Sequence, residues 1–260
     1  MSAAAQLTIA IIQGRMSSSR LPGKVMLDLA GEPMLMRVVE RVRLAKSLDG
    51  LVVATTLDPT DDALEAFCHQ NGIPCFRGSL PDVLDRFYQA AKVYRAGVIV
   101  RITADCPLVD PGLIDETVNL FHQAGADFAA NRLPPPFQRT YPIGLDVEVC
   151  SFAALERAWT EATQQHDREH VLPYLYEVEG RFKVAVLNYN QDFGKLRWTV
   201  DTPQDLELVR QVYRRLAGRP DFSWLDVLAI FEREPDLAGI NSNVKHKTMF
   251  DVDQRYKSGK

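Results

Sequence analysis

No apolar run in the chain approaches the roughly 20 residues needed to cross a bilayer as a helix. The first such run, residues 7–12, has neither a basic lead-in nor a small-residue cleavage site. It reads as a buried first strand, which predicts no membrane partner and a cytoplasmic location. Cysteine is sparse: Cys68, Cys75, Cys106 and Cys150 include no C-x-x-C pair and no zinc spacing, so free buried thiols in a reducing compartment are expected. Excess positive charge is also lacking. With a net charge of −4 the molecule is no general nucleic-acid binder, and any anion site must be local. Two phosphate-binding glycine patterns are missing as well. G-x-G-x-x-G does not occur, which argues against a dinucleotide oxidoreductase. G-x-x-x-x-G-K-[ST] fails because eight residues separate Gly14 from Gly23 and Val25 follows Lys24.

What is present is an alternation of short β-branched runs with amphipathic stretches. Strands are expected at residues 7–13, 51–55, 73–77, 98–103 and 127–130, with helices at 33–46, 61–70, 81–95 and 112–124 between and after them. Such alternation marks an α/β protein with a doubly wound, mostly parallel sheet, and the nearly continuous apolar strands fit a sheet covered on both faces. Three prolines interrupt the rhythm at residues 131–141. Beyond them we expect strands at 145–149, 182–189 and 196–200, the last returning to the main sheet. Helices are expected at 152–163, 168–179, 203–216 and 223–233. This gives one domain over residues 1–235, with an excursion at about 131–195 and a polar tail at 236–260.

The segment after the first strand, QGRMSSSRLPGK at residues 13–24, carries Arg15, Arg20 and Lys24, and the first acidic residue of the chain is Asp28. Parallel sheets bind ligands outside the carboxyl ends of their strands. An acid-free basic loop there suits a triphosphate, with backbone N–H groups at Gly14 and Gly23 and arginine forks for phosphate oxygens. Asp105 and Asp201 each follow an expected strand. Better helix caps stand beside them, Asp110-Pro111 and Thr202-Pro203, so both aspartates are available to the crevice. Two carboxylates beside a triphosphate suit Mg²⁺.

The motifs QGRMSSSRLPGKVM (13–26), VVATT (52–56), FRGSLPDVLDRFYQAA (76–91), VRITADCPLVDP (100–111), YPIGLDVEV (141–149), REHVLPY (168–174) and RWTVDTPQDLELV (197–209) occur in this order. Together they resemble the cytidylyltransferases that make CMP-activated sugar acids, the 3-deoxy-manno-octulosonate and acylneuraminate enzymes. They are closer still to the spore-coat polysaccharide branch of that superfamily. The resemblance implies a Rossmann-like nucleotidyltransferase fold, CTP and a small sugar as substrates, Mg²⁺ as cofactor, a homodimer, and an excursion shared between sugar pocket and dimer contact. By matched position it implies catalytic Arg15, Lys24, Asp105 and Asp201, with the two aspartates on the metal. It implies nucleotide contacts from Gln13, Gly14, Arg15, Ser17, Arg20, Lys24, Ser79, Asp82, Arg86 and Thr103. Glu169 and His170 match excursion residues near the sugar or the dimer contact. Read from the residues themselves, Arg139, Tyr141, Asp146 and Glu148 around the proline break are the other expected sugar contacts, Arg139 as partner of a sugar carboxylate and Asp146 and Glu148 on the polar face of one strand. The branch commonly has aspartate where Ile143 stands, and the 3-deoxy-octulosonate enzymes carry glutamine where Thr103 stands.

The same chain offers other readings. His166 and His170 are four apart, as zinc ligands on a helix often are, but Asp167 stands where the zincin pattern needs glutamate. Trp159, Trp198 and Trp224 are expected in the core. A sugar transferase using an already activated donor is disfavoured by the lack of a D-x-D triplet at 98–107. A non-catalytic nucleotide-binding partner is disfavoured by the retained aspartates and loop cations.

Overall fold

The computed structural model describes residues 6–133, 139–217 and 219–245. The three prolines at 134–136 and the tail beyond residue 245 lie outside the described residues. In chain order the elements are β1 (Leu7–Gln13), β2 (Asp28–Leu29), β3 (Glu32–Pro33), α1 (Met34–Val42), β4 (Gly50–Thr56), α2 (Asp62–Gln70), β5 (Cys75–Gly78), α3 (Val83–Val93), β6 (Ala96–Thr103), α4 (Pro111–Ala124) and β7 (Phe128–Ala130). They continue with β8 (Glu148–Ser151), α5 (Phe152–Glu161), α6 (Gln165–His170), α7 (Pro173–Tyr176), β9 (Val184–Val186), α8 (Pro203–Arg215) and α9 (Trp224–Arg233).

Seven strands form one sheet in the order β5-β4-β1-β6-β8-β7-β9. All run parallel except β8, which pairs antiparallel with both β6 and β7. Side chains alternate across the sheet as strand geometry requires. Ala10 and Ile12 join the layer formed by α1, α4, α8 and α9. Ile9 and Ile11 join the layer formed by α3, α5 and α7. Each fully buried aliphatic side chain contributes about 1.5–3 kcal/mol, so this two-sided pattern fixes the register of β1. That register sets Gln13 level with Ala54 and Thr103, and the loops after β1, β4 and β6 open at one edge of the sheet.

Four expectations need correction. The strand at 145–149 begins only at Glu148, because the buried Asn131 amide takes the earlier backbone bonds. Asn131 Nδ2 donates to Leu145 O at 2.7 Å, and its Oδ1 accepts from Val147 N at 2.9 Å. The helix at 168–179 is broken into α6 and α7 at Val171, whose φ is 76°. The strand at 182–189 is confined to the edge strand β9. Finally, residues 196–200 do not enter the sheet, since β6 already has β1 on one side and β8 on the other. This segment is instead laid past the end of β6, with Val200 N donating to Asp105 O at 2.8 Å and Trp198 N to Ile143 O at 2.6 Å. Its close approach needs Gly144 at φ 107°, where a Cβ would stand 2.5 Å from Thr199 N. The expected excursion therefore supplies β8 and β9 to the main sheet.

Candidate active site

The basic loop leaves β1 pinned on both sides. Gln13 O accepts from Ala104 N at 2.8 Å, and Gly14 N donates to Ala54 O at 3.3 Å. A Cβ on Gly14 would come within 3.0 Å of the Ala104 Cβ, so the absent side chain lets the two chains approach. Met16 N then donates to Asp61 Oδ1 at 2.7 Å. Asp61 is fully buried, and it also accepts from Thr55 Oγ1 at 2.9 Å, Thr56 N at 3.1 Å and Thr56 Oγ1. A turn closed by Gly23 N on Met16 O, with Gly23 at φ 69°, leads into a short 3₁₀ segment in which Lys24 is buried.

That turn aims Lys24 inward. Its Nζ donates to Asp105 Oδ2 at 2.7 Å, Asp201 Oδ1 at 2.9 Å and Val200 O at 2.9 Å. Asp201 Oδ2 also meets Arg20 at 2.8 Å and Arg197 at 2.8 Å. The two carboxylates, 96 residues apart in sequence, thus meet on one cation. Burial is the largest influence on Lys24 and acts to lower its pKa, yet Asp105 and Asp201 together hold it above the usual lysine value. For Asp201 burial acts upward, and Lys24, Arg20 and Arg197 outweigh it, keeping the carboxyl well below the usual range. Thr202 caps α8 by accepting from Asp205 N, while Asp205 returns the bond to the Thr202 N–H, and Asp110 caps α4. Both aspartates are accordingly spared the capping role. Their donor set is all oxygen and converges on one point, which fits a magnesium ion completed by water and phosphate oxygens.

On the β5–α3 side, Ser79 and Asp82 are engaged structurally. Ser79 Oγ accepts from Asp82 N at 3.1 Å, and Asp82 caps α3 through Asp85 N at 2.8 Å. Asp82 also holds Arg168 Nη2 at 2.5 Å, tying α6 to α3. Arg86 is different. It is 1% exposed, and its Nε and Nη1 have no hydrogen-bond partner. Its pKa is pushed down to about 10 by burial first, then by Arg15 and Arg101, against the pull of Asp61. A buried guanidinium with open donors, next to Arg15, is a place for an acceptor-rich ligand. Thr103 ends β6 with its Oγ1 3.1 Å from Cys106 Sγ, and Ser17 lies half-buried in the loop beyond Met16.

Toward β8, the charged side chains expected at a sugar pocket form an internal network. Arg139 binds both oxygens of Asp146, at 2.8 and 3.2 Å. Glu148 is 3% exposed and is shared by Arg101 and Arg132. Arg101 Nη2 donates to Gln13 Oε1 at 3.2 Å, joining this network to the base of the basic loop. His170 has an unpartnered Nε2. Burial, then Arg101 and Arg132, push its pKa down to about 4. Glu169 stands beside it, half-buried. Tyr141 is a correction: it is 3% exposed and packs against Trp224 and Tyr189 at ring distances of 5.4 and 5.9 Å. Its side chain thus belongs to the core cluster of the α1–α4–α8–α9 layer. His166 and His170 diverge as well, because His166 turns to Glu177.

Sequence reasoning missed Asp61, Arg101, Arg132 and Arg197. Arg101 did leave a signal: a charge inside the apolar strand VIVRIT, buried on both faces, requires an ionic partner. Asp61 looked like an ordinary helix-start residue.

A cytidylyltransferase family model matches residues 9–218. An uncharacterized protein of Methanocaldococcus jannaschii is 38% identical over 95% of this chain and 99% of its own length. The spore coat polysaccharide biosynthesis protein SpsF of Bacillus subtilis is 35% identical over 88% of this chain and 95% of its own. Among solved structures, a cytidylyltransferase from Leptospira borgpetersenii superposes with a TM-score of 0.85 at 32% identity, covering 93% of this chain and all of that one. With this fold, and with that match over most of its length, the chain belongs to the cytidylyltransferase family.

Proposed function

We propose that the protein joins CMP from CTP to a hydroxyl of a small acidic sugar, releasing pyrophosphate, and that the product serves surface polysaccharide or glycan synthesis. The observation that carries this reading is the meeting of Asp105 and Asp201 on Lys24 at the mouth of the basic loop. Asp105 and Asp201 would hold Mg²⁺, which when bound supplies charge neutralisation on phosphate oxygens and acidifies a hydroxyl. Lys24 Nζ sits where the two carboxylates converge; with those carboxylates engaged by the ion, its ammonium would be available to hold the leaving pyrophosphate. Arg15 stabilises charge on the α-phosphate, and Arg20 shifts from Asp201 to the outer phosphates. Gln13 and Gly14 flank the nucleoside. The sugar hydroxyl attacks the α-phosphorus in line, so the protein contributes positioning and charge rather than covalent chemistry. An acidic sugar is favoured by Arg132 and Arg139, which would exchange Asp146 and Glu148 for the sugar carboxylate. The relationship to the B. subtilis polysaccharide protein supports the pathway assignment. A homodimer belongs to the same reading and is checked by mass measurement in solution.

The test is pyrophosphate release from each of the four nucleoside triphosphates against a panel of acidic and neutral sugars with Mg²⁺. CTP with an acidic sugar should be preferred, and Asp105→Asn should lose on the order of 10²-fold in turnover while keeping its fold. Equal turnover of all triphosphates, or turnover with neutral sugars alone, would sink the assignment.

A further inference from the structure

A second cluster of ligand-type side chains, sharing no residue with the Asp105–Asp201 pair, lies at the α6–α7 corner. His166 and Asp167 open α6, and Glu177 follows α7. One ligand atom from each falls within 4.8 Å of the others. His166 Nε2 stands 2.9 and 3.0 Å from the two Glu177 oxygens and 3.7 Å from Asp167 Oδ1.

A hydrogen bond between His166 and Glu177 accounts for two of these residues but not the third. Asp167 is 3% exposed, and its Oδ1 has no hydrogen-bond partner. A buried carboxylate oxygen left without a donor costs free energy that a cation would recover. Ligands 2.0–2.2 Å from a tetrahedral zinc ion stand about 3.4 Å apart. The observed separations of 2.9, 3.0 and 3.7 Å from Nε2 bracket that value. One imidazole with two carboxylates also selects a borderline transition metal over Mg²⁺ or Ca²⁺, which favour all-oxygen sites.

We propose that His166, Asp167 and Glu177 form a binding site for a single Zn²⁺ ion, separate from the Asp105–Asp201 pair. The fourth position faces outward, since His166 and Glu177 are only half-buried. The ion would staple the start of α6 to the end of α7 across Val171, which holds φ 76° and ψ −56° in a tight turn closed by Leu172 N on His170 O at 3.0 Å. A β-branched residue in that conformation is strained, and the staple holds it. Because α6 also carries Arg168 onto Asp82, Zn²⁺ fixes the corner that presents His170 to the Arg101–Glu148 network.

The test uses the full chain, stripped with a chelator and titrated with Zn²⁺ alone by competition against a chromophoric chelator. Visible d–d absorption of the Co²⁺-substituted protein reports the coordination. We expect one ion per chain in wild type and in an Asp105→Asn, Asp201→Asn double variant. His166→Ala and Glu177→Gln should each weaken binding by at least about tenfold, the lower end of what loss of even an outer-shell partner costs. Thermal unfolding confirms that each variant is folded, and if His166→Ala is not, Glu177→Gln decides alone. The inference is overturned by no stoichiometric Zn²⁺ binding to wild type, by wild-type affinity in the Glu177 variant, or by binding that disappears with Asp105 and Asp201. The first two results leave the proposed nucleotidyl transfer untouched.

Discussion

Replacing Asp61 by alanine takes one carboxylate from under the basic loop and leaves four donors without it. Two of these, the Thr55 and Thr56 hydroxyls, can rotate toward other acceptors. The backbone N–H groups of Met16 and Thr56, now 2.7 and 3.1 Å from the carboxylate, cannot. Each N–H left unsatisfied in a buried setting costs about 1–3 kcal/mol. Relief of the carboxylate's own desolvation offsets part of this, which leaves a net loss of roughly 3 kcal/mol. Arg86 adds to the effect, since it is already destabilised by Arg15 and Arg101 and loses the opposing charge of Asp61. For a chain of this size the melting temperature should fall by roughly 6–12 °C. Met16 lies next to Arg15, so the loop should also loosen, and the KM for CTP should rise more than kcat falls. Asp61→Asn should be intermediate, because its carbonyl satisfies one N–H while its NH₂ group faces the other. Calorimetry and steady-state kinetics on the three proteins provide the check. An alanine variant within about 0.5 kcal/mol of wild type, the range of ordinary surface changes, with an unaltered KM, would refute the anchoring role of Asp61.

Two further outcomes follow from the same geometry. In Lys24→Met the ammonium between Asp105 and Asp201 is gone, so the pair, with only Arg20 and Arg197 left on the far oxygen of Asp201, should bind Mn²⁺ without nucleotide at least roughly tenfold more tightly than wild type. That factor is about 1.4 kcal/mol, small beside one contact charge pair near a surface; unchanged or weaker calorimetric binding would contradict Lys24 as the resident cation. Burial first, then Arg101 and Arg132, push the His170 pKa down to about 4 in the folded protein, from an ordinary 6.5. Between those values the unfolded chain holds the extra proton, so stability should fall as pH drops through this window. Denaturant unfolding of His170→Asn from pH 7 to 4 should show a flatter pH dependence than wild type, and an identical slope would remove His170 from that account.

The α/β alternation was readable because strand and helix periodicities report burial locally. β1 occupies the expected residues 7–13, and the helix caps Asp110 and Thr202 stand where their chemistry placed them. The segment at 196–200 misled because an apolar β-branched run also suits an extended stretch buried beyond a sheet, as Trp198 and Val200 are. Likewise Leu145 and Val147 carry a strand pattern, yet Asn131, distant in sequence, intercepts their backbone groups. Arg139, Asp146 and Glu148 were correctly seen as polar and near the excursion, but spacing gave no sign that they already bind one another or Arg101 and Arg132.

By itself the order of residues determined the layered sheet, an acid-free cationic turn after the first strand, and two aspartates released from capping. Those features depend on neighbours a few positions apart. Only the folded path decided that Lys24 lies between the aspartates, that Asp61 supports the turn from beneath, and that β8 runs against its neighbours. Each of these is a meeting of groups dozens of residues apart, and its energy arises only once burial has removed the water that would otherwise satisfy them.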